Sequence, residues 1–254
     1  MSGNGLRRGK FLRRAGLVIL MGACAMLLSA SQAKAVLIDH FIDGDFTLAV
    51  AFNGAAASAQ QTGSMLGGYR DVTLIADGGS SQSEHAIVNQ NPAIGYPSHL
   101  SWSEDDSIYG RLILKYDANG GGLNSEFTDG GASTQLLVGY ETDGHRVDLT
   151  VEVVTGLGTT GQQTATASVT IPASPIGGTA VIPFSAFVAN NALINLTDLD
   201  RITYTFNSSQ AVGYGGDYYF DLLGSGTVPE PVTMLGMFLG LGSVGAYIRK
   251  RRMA

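Results

Sequence analysis

The sequence predicts an all-β protein: an antiparallel β-sandwich of the jelly-roll type, flanked by an N-terminal signal peptide and a C-terminal single transmembrane helix. Three observations support this prediction. Apolar residues alternate with period two through residues 36–227, clusters of Gly, Asn, Asp and Ser separate the apolar runs, and each end of the chain combines an uncharged apolar segment with a basic cluster. The predicted domain boundaries are 1–35, 36–227 and 228–254.

The N-terminus has the three parts of a secretory signal peptide. A basic region is followed by the apolar residues 15–30 and then by Ala33-Lys34-Ala35, whose small residues suit cleavage after Ala35. Arg7 and Arg8 leave a twin-arginine signal as an alternative to general secretion. Residues 1–35 are therefore excluded from the fold.

The central region predicts twelve short strands and no long amphipathic helix. Residues 146–153 show the pattern most clearly, because Val and Leu alternate with charged residues or Thr, as in a half-buried antiparallel strand. Residues 53–64, which are small and polar, are predicted to form a surface loop, and residues 224–227 a short flexible tether. The predicted strands are 36–42, 46–52, 70–76, 85–88, 99–102, 109–116, 134–140, 146–154, 164–171, 180–187, 201–207 and 218–223.

The C-terminus predicts a segment that stops in a membrane. Residues 232–248 are apolar and uncharged. This segment of 17 residues has about the shortest length with which a helix can cross a bilayer. The cations that follow hold their end in the cytoplasm. The prolines on both sides of Glu230 cannot continue a helix, so the segment that precedes the apolar residues is expected to stay extended. The flanking motifs are Val228, Pro229, Glu230 and Pro231 on one side and Arg249, Lys250, Arg251 and Arg252 on the other.

This order of triplet, short hydrophobic helix and basic end resembles the PEP-CTERM sorting signal. The signal occurs on exported proteins of Gram-negative bacteria that make exopolysaccharide. The resemblance implies a membrane-anchored precursor that passes through the inner membrane and is recognised near Pro229 by an exosortase, a membrane protease. The mature protein would then lie on the cell surface or outside the cell. An ordinary C-terminal anchor is the alternative.

The predicted mature domain is strongly acidic. Residues 36–227 contain 20 acidic and five basic side chains, a formal charge of −15, whereas the whole chain has −6. Such a domain lacks the basic patches that nucleic acids and anionic lipids require, so nucleic acid is excluded as a partner. Cations and neutral sugars remain compatible with this charge. The only cysteine, Cys24, leaves with the signal peptide, so no disulfide is expected.

A second resemblance concerns the fold of this domain. Three segments resemble the C-terminal half of galactose-binding-like jelly rolls, which include many carbohydrate-binding modules. These segments are 165–172, Ile182-Pro183-Phe184-Ser185-Ala186-Phe187 and 199–206. The matched residues are mostly core residues, so the resemblance implies the fold more than a function.

The same resemblance implies a candidate calcium site. In such jelly rolls the first and last strands are neighbours, and a calcium ion often bridges them. Calcium prefers six to eight oxygen ligands in flexible geometry, and a solvated acidic turn is the alternative interpretation. The candidate ligands are Asp39, Asp43, Asp45, Asp217 and Asp221.

A candidate sugar-binding cluster follows the only tryptophan. Trp102 precedes Glu104, Asp105 and Asp106, and an exposed aromatic ring beside carboxylates can hold a sugar. The alternative is that Trp102 anchors the core and the acids form a polar turn. Residues 214–219 form another aromatic-rich segment with the same two interpretations.

Three functional hypotheses follow. The first is a non-catalytic structural or adhesive module, sorted by an exosortase to an exopolysaccharide coat or biofilm. The second is a carbohydrate-binding, lectin-like module, and the third is a polysaccharide hydrolase. No histidine has metal-ligand spacing and no Gly-x-Ser-x-Gly motif is present, so the sequence predicts no enzyme activity.

Overall fold

The structure is a computed structural model that describes residues 36–43, 46–51, 55–78, 85–90, 99–105, 108–208 and 215–226. All of them belong to one compact unit, Lys34–Ala254. The predicted signal peptide and residues 228–254 lie outside the described residues. Within those residues no helix has the length and apolar character needed to cross a membrane.

Thirteen strands, a 3₁₀ turn at Leu66–Gly68 and one short helix, Phe184–Asn190, make up the described part of the domain. The strands are β1 (Leu37–Asp39), β2 (Phe46–Ala51), β3 (Ala56–Thr62), β4 (Tyr69–Gly78), β5 (His85–Gln90), β6 (Leu100–Glu104), β7 (Tyr109–Tyr116), β8 (Gln135–Thr142), β9 (Val147–Thr155), β10 (Gln163–Ile171), β11 (Gly178–Pro183), β12 (Arg201–Asn207) and β13 (Asp217–Gly226).

The strands form two antiparallel sheets. The seven-stranded sheet has the order β11-β8-β13-β6-β5-β2, with β1 also paired to β13. The six-stranded sheet has the order β10-β9-β12-β7-β4-β3. One side of β13 pairs with β6 up to Phe220 and then with β1 at Leu223 and Gly224, so the first and last strands are neighbours as expected.

Because successive side chains of a strand lie on opposite faces, one face of each sheet is apolar. These two apolar faces pack together as a shared core. In β7, Leu112, Leu114 and Tyr116 are fully buried, while the residues between them are half-buried on the outer face. The two layers meet where the rings of Phe206 and Phe220 lie 4.1 Å apart. Apolar burial of this kind is the main stabilising contribution to such a domain.

Three predictions about these segments are wrong. Residues 224–226 were expected to belong to a flexible tether, but they form the end of β13 and pair with β8. Residues 53–64 were expected to form a loop, but Ala56–Thr62 is a strand that pairs with β4 along its whole length. Its small side chains hide the alternation, since a strand at the margin of a sheet buries little apolar surface. The predicted strand 180–187 stops at Pro183. The helix that follows buries Phe184 and Phe187, which are three residues apart on one helical face.

Candidate functional site

A partly exposed aromatic pair lies on the outer face of the seven-stranded sheet. Successive side chains of β13 alternate, so Tyr218 is fully buried and Tyr219 is 36% exposed. The ring of His99 meets the ring of Tyr219 edge to face, with centroids 5.4 Å apart at 78°. Edge-to-face pairs of this kind favour a fixed ring orientation. The pair therefore presents a positioned aromatic surface to solvent.

Polar side chains flank this ring on the neighbouring strands. Tyr219 lies opposite Glu141 of β8 on one side and opposite Ser101 of β6 on the other. Directly opposed residues in an antiparallel pair have Cβ atoms about 4.5–5.5 Å apart. An exposed carboxylate and a hydroxyl-bearing residue thus lie next to the aromatic ring.

Two further carboxylates lie on the same face of β13. Asp217 accepts a hydrogen bond from the hydroxyl of Ser103, which lies opposite it on β6. Asp221 lies at a β-bulge, and its side chain occupies the space above Gly139, where a Cβ atom would lie 2.0 Å from Oδ1. Gly139 therefore makes room for the carboxylate of Asp221.

The seven-stranded sheet has a consistent electrostatic character. None of its seven strands contains Lys or Arg, whereas β8 and β13 contribute Glu141, Asp217 and Asp221 to the outer face. An anionic ligand would be repelled by such a face. A neutral ligand with many hydroxyl groups would find carboxylate acceptors around an aromatic ring, which is the arrangement by which proteins hold sugars.

The outer face of the six-stranded sheet differs. Most of its charges are neutralised in pairs: Arg111 with Asp77 at 2.6 Å, Lys115 with Asp71 at 2.8 Å and Arg201 with Glu152 at 2.8 Å. Between them, hydroxyl groups bond across strands, as in Ser58 with Thr73. Asp148 of β9 is the remaining carboxylate on the described strands of this face, and it accepts a hydrogen bond from the hydroxyl of Thr170. This face is therefore less acidic than that of the seven-stranded sheet, so the two faces of the sandwich are suited to different partners.

The residues of the predicted sugar-binding cluster lie partly in the core and partly at the surface. Trp102 is fully buried and its ring lies 4.8 Å from that of Tyr218, so it anchors the core and cannot stack on a ligand. Glu104 follows on the same inward face and is 5% exposed. The prediction for Trp102 and Glu104 is corrected because period two sends both side chains inward. Asp105 is exposed at the end of β6, and Asp106 lies outside the described residues.

Glu104 has an unusual environment. Burial raises its pKa to about 8, although the hydroxyl of Ser208, which donates to Oε1 at 2.9 Å, partly opposes this shift. The other oxygen, Oε2, has no hydrogen-bond partner in the described part of the chain. Desolvation disfavours the ionised form, so the carboxyl group is protonated at neutral pH.

The predicted calcium ligands have other partners. Asp39 is buried in an ion pair with Arg70, and Asp43 accepts hydrogen bonds from the backbone and side chain of Ser64. Asp217 is bonded to Ser103, while Asp45 lies outside the described residues. Across the described ranges, no three carboxylate, histidine or cysteine side chains lie close enough to hold a metal ion. The described candidates make separate contacts, and calcium binding at these residues stays a prediction.

A groove of about 700 Å³ lies at a different place, between the segment 126–135 and the start of the short helix. Its wall includes Glu126, whose carboxylate accepts hydrogen bonds from Gly130 and Thr128, and its base includes Phe184. Phe184 is only 7% exposed, so the groove lacks an exposed ring for stacking. The Tyr219 face remains the better candidate site.

Comparison with known proteins gives structural similarity only. No protein-family model matches the chain, and the comparison with curated proteins found no match. Among solved structures, a family 11 carbohydrate-binding module from Clostridium thermocellum, in complex with a β-1,3-1,4-mixed-linked tetrasaccharide, has a TM-score of 0.39 at 12% identity and covers 78% of this chain and 98% of its own. A family 30 carbohydrate-binding module of a cellulosomal cellulase of Clostridium thermocellum has a TM-score of 0.37 at 9% identity, covering 71% and 98%.

A family 29 carbohydrate-binding module complexed with mannohexaose has a TM-score of 0.32 at 12% identity, with 76% of this chain and 92% of its own covered. At such low similarity the ligands of these neighbours cannot be assigned to this chain. The side chains of the chain itself must decide what it binds.

Sequence reasoning missed Tyr219 as a distinct candidate. The aromatic run from Tyr218 to Phe220 guarantees that at least one ring faces outward in a strand. Which ring does so depends on the register of β13 against β6 and β8. That register is a property of the assembled sheet.

Proposed function

We propose that the β-sandwich is a non-catalytic carbohydrate-binding module that holds a neutral polysaccharide on the outer face of its seven-stranded sheet. The observation that carries the proposal is the exposed ring of Tyr219, fixed by His99 and flanked by Glu141 and Ser101. The ring would stack on the apolar face of a sugar, and the carboxylate would accept hydrogen bonds from its hydroxyl groups.

The row that contains Tyr219 is long enough for a chain of sugars. It runs by register from Glu141 of β8 across β13, β6 and β5 to Thr47 of β2. Five strands spaced by about 4.8 Å give a row of about 19 Å. Open access along such a row suits the interior of a polysaccharide better than a chain end held in a closed pocket.

The proposed activity is binding without cleavage. Glu104 is the carboxyl group whose pKa is raised toward the range of a general acid. It is 5% exposed and points into the core, so it cannot reach a glycosidic oxygen on the outer face. A hydrolase would need two carboxyl groups on opposite sides of the scissile bond.

Binding to insoluble and soluble polysaccharides tests the proposal. Pull-down and affinity electrophoresis would use a neutral mixed-linked β-glucan, a neutral mannan and an anionic polyuronate. We expect the wild-type protein to bind at least one neutral polymer and not the polyuronate. Tyr219→Ala should weaken that binding by about tenfold or more, as expected for the loss of a central aromatic contact.

Tyr109→Ala is the matched control, because Tyr109 is 38% exposed but belongs to the six-stranded sheet. It should bind like the wild type. Equal losses in the two variants, or binding that survives Tyr219→Ala, would contradict the proposed site.

We also propose that the chain is exported and sorted. The support is the signal-peptide pattern of residues 1–35 and the PEP-CTERM resemblance of residues 228–254, with an exosortase as the processing partner. Polysaccharide binding would then retain the processed protein in an exopolysaccharide coat or biofilm, which unites the adhesive and carbohydrate-binding hypotheses.

Mass spectrometry of the protein isolated from its native cells tests the sorting proposal. We expect a C-terminus near Pro229–Pro231 and the loss of residues 232–254. A protein that still ends at Ala254 would refute processing, although it would leave the binding proposal intact.

A further inference from the structure

The two margins of the six-stranded sheet are protected differently. At one margin, β10 is covered by the short helix and the turn that follows it. Asn190 accepts a hydrogen bond from the backbone N–H of Thr166 at 2.9 Å, and Asn191 donates to the carbonyl of Thr164 at 3.0 Å. Side-chain amides thus satisfy backbone groups that would otherwise face outward, and they prevent another strand from pairing there.

The opposite margin is β3, which pairs only with β4 among the strands that the structure describes. The N–H of Ala76 donates to the carbonyl of Ala55 at 3.0 Å, so these opposed residues form a hydrogen-bonded pair. This pair fixes which residues of β3 turn their backbone groups toward β4. Because hydrogen-bonded positions alternate along an antiparallel strand, the odd-numbered residues 57–61 turn their backbone groups toward β4. The backbone groups of Ala56, Ser58, Gln60 and Thr62 therefore point away from the sheet.

These outward groups have no hydrogen-bond partner within the ranges that the structure describes. The strand also lacks the usual protections of an exposed edge. Its sequence, Ala-Ala-Ser-Ala-Gln-Gln-Thr, contains no charge and no proline, and its register with β4 has no bulge. A seven-residue edge of this kind is a template for pairing with another strand.

The composition of β3 suits pairing with itself. A two-fold axis through Ala59 would place Ser58 opposite Gln60 of the second copy and Ala56 opposite Thr62. Small side chains would meet at the axis, and a hydroxyl would face an amide on the outer surface. Although the domain is acidic, the charge on β4 nearest this edge, Asp71, is already paired with Lys115 at 2.8 Å. No like charges would be opposed along the new ladder.

We propose that β3 is a homodimerisation edge, at which two copies of this chain pair antiparallel about Ala59 and join their six-stranded sheets into one continuous sheet. The interface is isologous, so it closes on itself and does not propagate into a filament. This inference concerns the opposite layer from Tyr219 and does not depend on the proposed polysaccharide binding. A dimer would carry two such faces, so avidity for a polymer would be greater than that of one copy.

The mass of the full chain, purified in a mild detergent and measured by sedimentation at several concentrations, tests the association. We expect a concentration-dependent mass of two chains for the wild type. Ser58→Lys should shift it to one chain, because the two-fold axis brings the two new ammonium groups close together. A wild type that stays monomeric up to about 100 µM would overturn the proposal.

Ser168→Lys is the matched control. Ser168 lies in β10 and bonds to Thr150 at 2.9 Å, just as Ser58 in β3 bonds to Thr73 at 2.9 Å. Both serines are exposed on the outer face of margin strands of the same sheet. The Ser168 variant should remain dimeric. If both variants dissociate, or neither does, the association uses another surface and the proposal fails.

Cysteine cross-linking tests the register, in a Cys24→Ser background that removes the only native thiol. Ala59→Cys should form a disulfide-linked dimer, because the two residues 59 would be a non-hydrogen-bonded pair with Cα atoms about 4.5 Å apart, within disulfide range. Ala57→Cys should not, since residue 57 would face residue 61, and the two residues 57 would lie about 14 Å apart. Equal cross-linking at both positions, or at neither, would overturn the proposed register.

Discussion

Asp39 and Arg70 form an ion pair inside the sandwich, with Oδ2 and Nη1 2.6 Å apart and both side chains almost completely buried. Asp39 is further held by the hydroxyl of Tyr116 at 2.7 Å and the backbone N–H of Phe41 at 2.8 Å. The guanidinium lies 5.1 Å from the centroid of the Phe41 ring. These contacts tie the first strand to β4 and β7 of the other sheet.

Replacing Arg70 with Met should therefore destabilise the domain strongly. The carboxylate of Asp39 would remain buried without its counter-ion, and breaking such a pair typically costs about 3–5 kcal/mol. Chemical denaturation measures the change. Arg111→Met is the control, because Arg111 and Asp77 are 39% and 27% exposed and such a pair contributes about 1 kcal/mol or less. Similar losses in the two variants would contradict this role of Asp39.

Glu104 predicts an unusual dependence of stability on pH. Its pKa is raised from 4.5 to about 8 by burial, so the folded state keeps the proton over a range in which the unfolded state releases it. Its stabilising contribution is complete below pH 4.5 and is lost as the pH rises through about 8. At 1.36 kcal/mol per pH unit, the loss over this window is about 3–5 kcal/mol.

Glu104→Gln should remove this dependence, because the amide keeps the shape of the side chain and does not titrate. The free energy of unfolding of the variant should exceed that of the wild type at pH 8 and approach it at pH 4.5. Glu141→Gln, on the exposed outer face, serves as the control. Parallel pH profiles for the wild type and Glu104→Gln would show that Glu104 does not hold its proton in the core.

Trp102 and Tyr219 should have opposite roles in stability and binding. Trp102→Ala removes a fully buried indole and should cost about 3–5 kcal/mol of folding free energy. Tyr219→Ala should cost less than about 1 kcal/mol because its ring is 36% exposed. Thermal unfolding and polysaccharide binding, measured on both variants, would check this. A stable Trp102→Ala protein that fails to bind would restore Trp102 as the binding residue.

Gly110 is predicted to be intolerant of any side chain. A Cβ atom there would lie 2.2 Å from the carbonyl oxygen of Ile75, which is backbone and cannot move aside. Gly110→Ala should therefore cost about 1–3 kcal/mol or more. Gly161→Ala is the control, since its nearest heavy atom would be 3.8 Å away. Denaturation midpoints that match in the two variants would contradict the close approach of β4 and β7.

Much of the fold follows from local pattern. Strands such as β7 and β9 were predicted almost to the residue, because bulky apolar side chains alternate with polar ones through them. The strand β3 could not be predicted in the same way. Alanine, serine and glutamine give little contrast between the two faces, so pairing with β4, and not burial of its own side chains, makes this segment a strand.

The candidate site, too, could be predicted only in part from the sequence. Period two predicts that Trp102 and Glu104 share one face of β6, but it does not say which face is the core. The answer depends on the other sheet, where Phe206 meets Phe220 of β13. Tyr219 and His99 come from different strands, so their contact has no signal in either segment alone.

The sequence by itself determined the all-β class, most strand positions and the acidity of the domain, and it predicted a signal peptide and a sorting signal at the two ends. Each of these depends on neighbouring residues or on composition. Only the tertiary structure decided which aromatic ring faces solvent, that Asp39 pairs with Arg70, and that one sheet margin is covered while the other has no further strand paired to it within the described residues. These features depend on strand register and on the stacking of two layers, which bring together residues far apart in the chain.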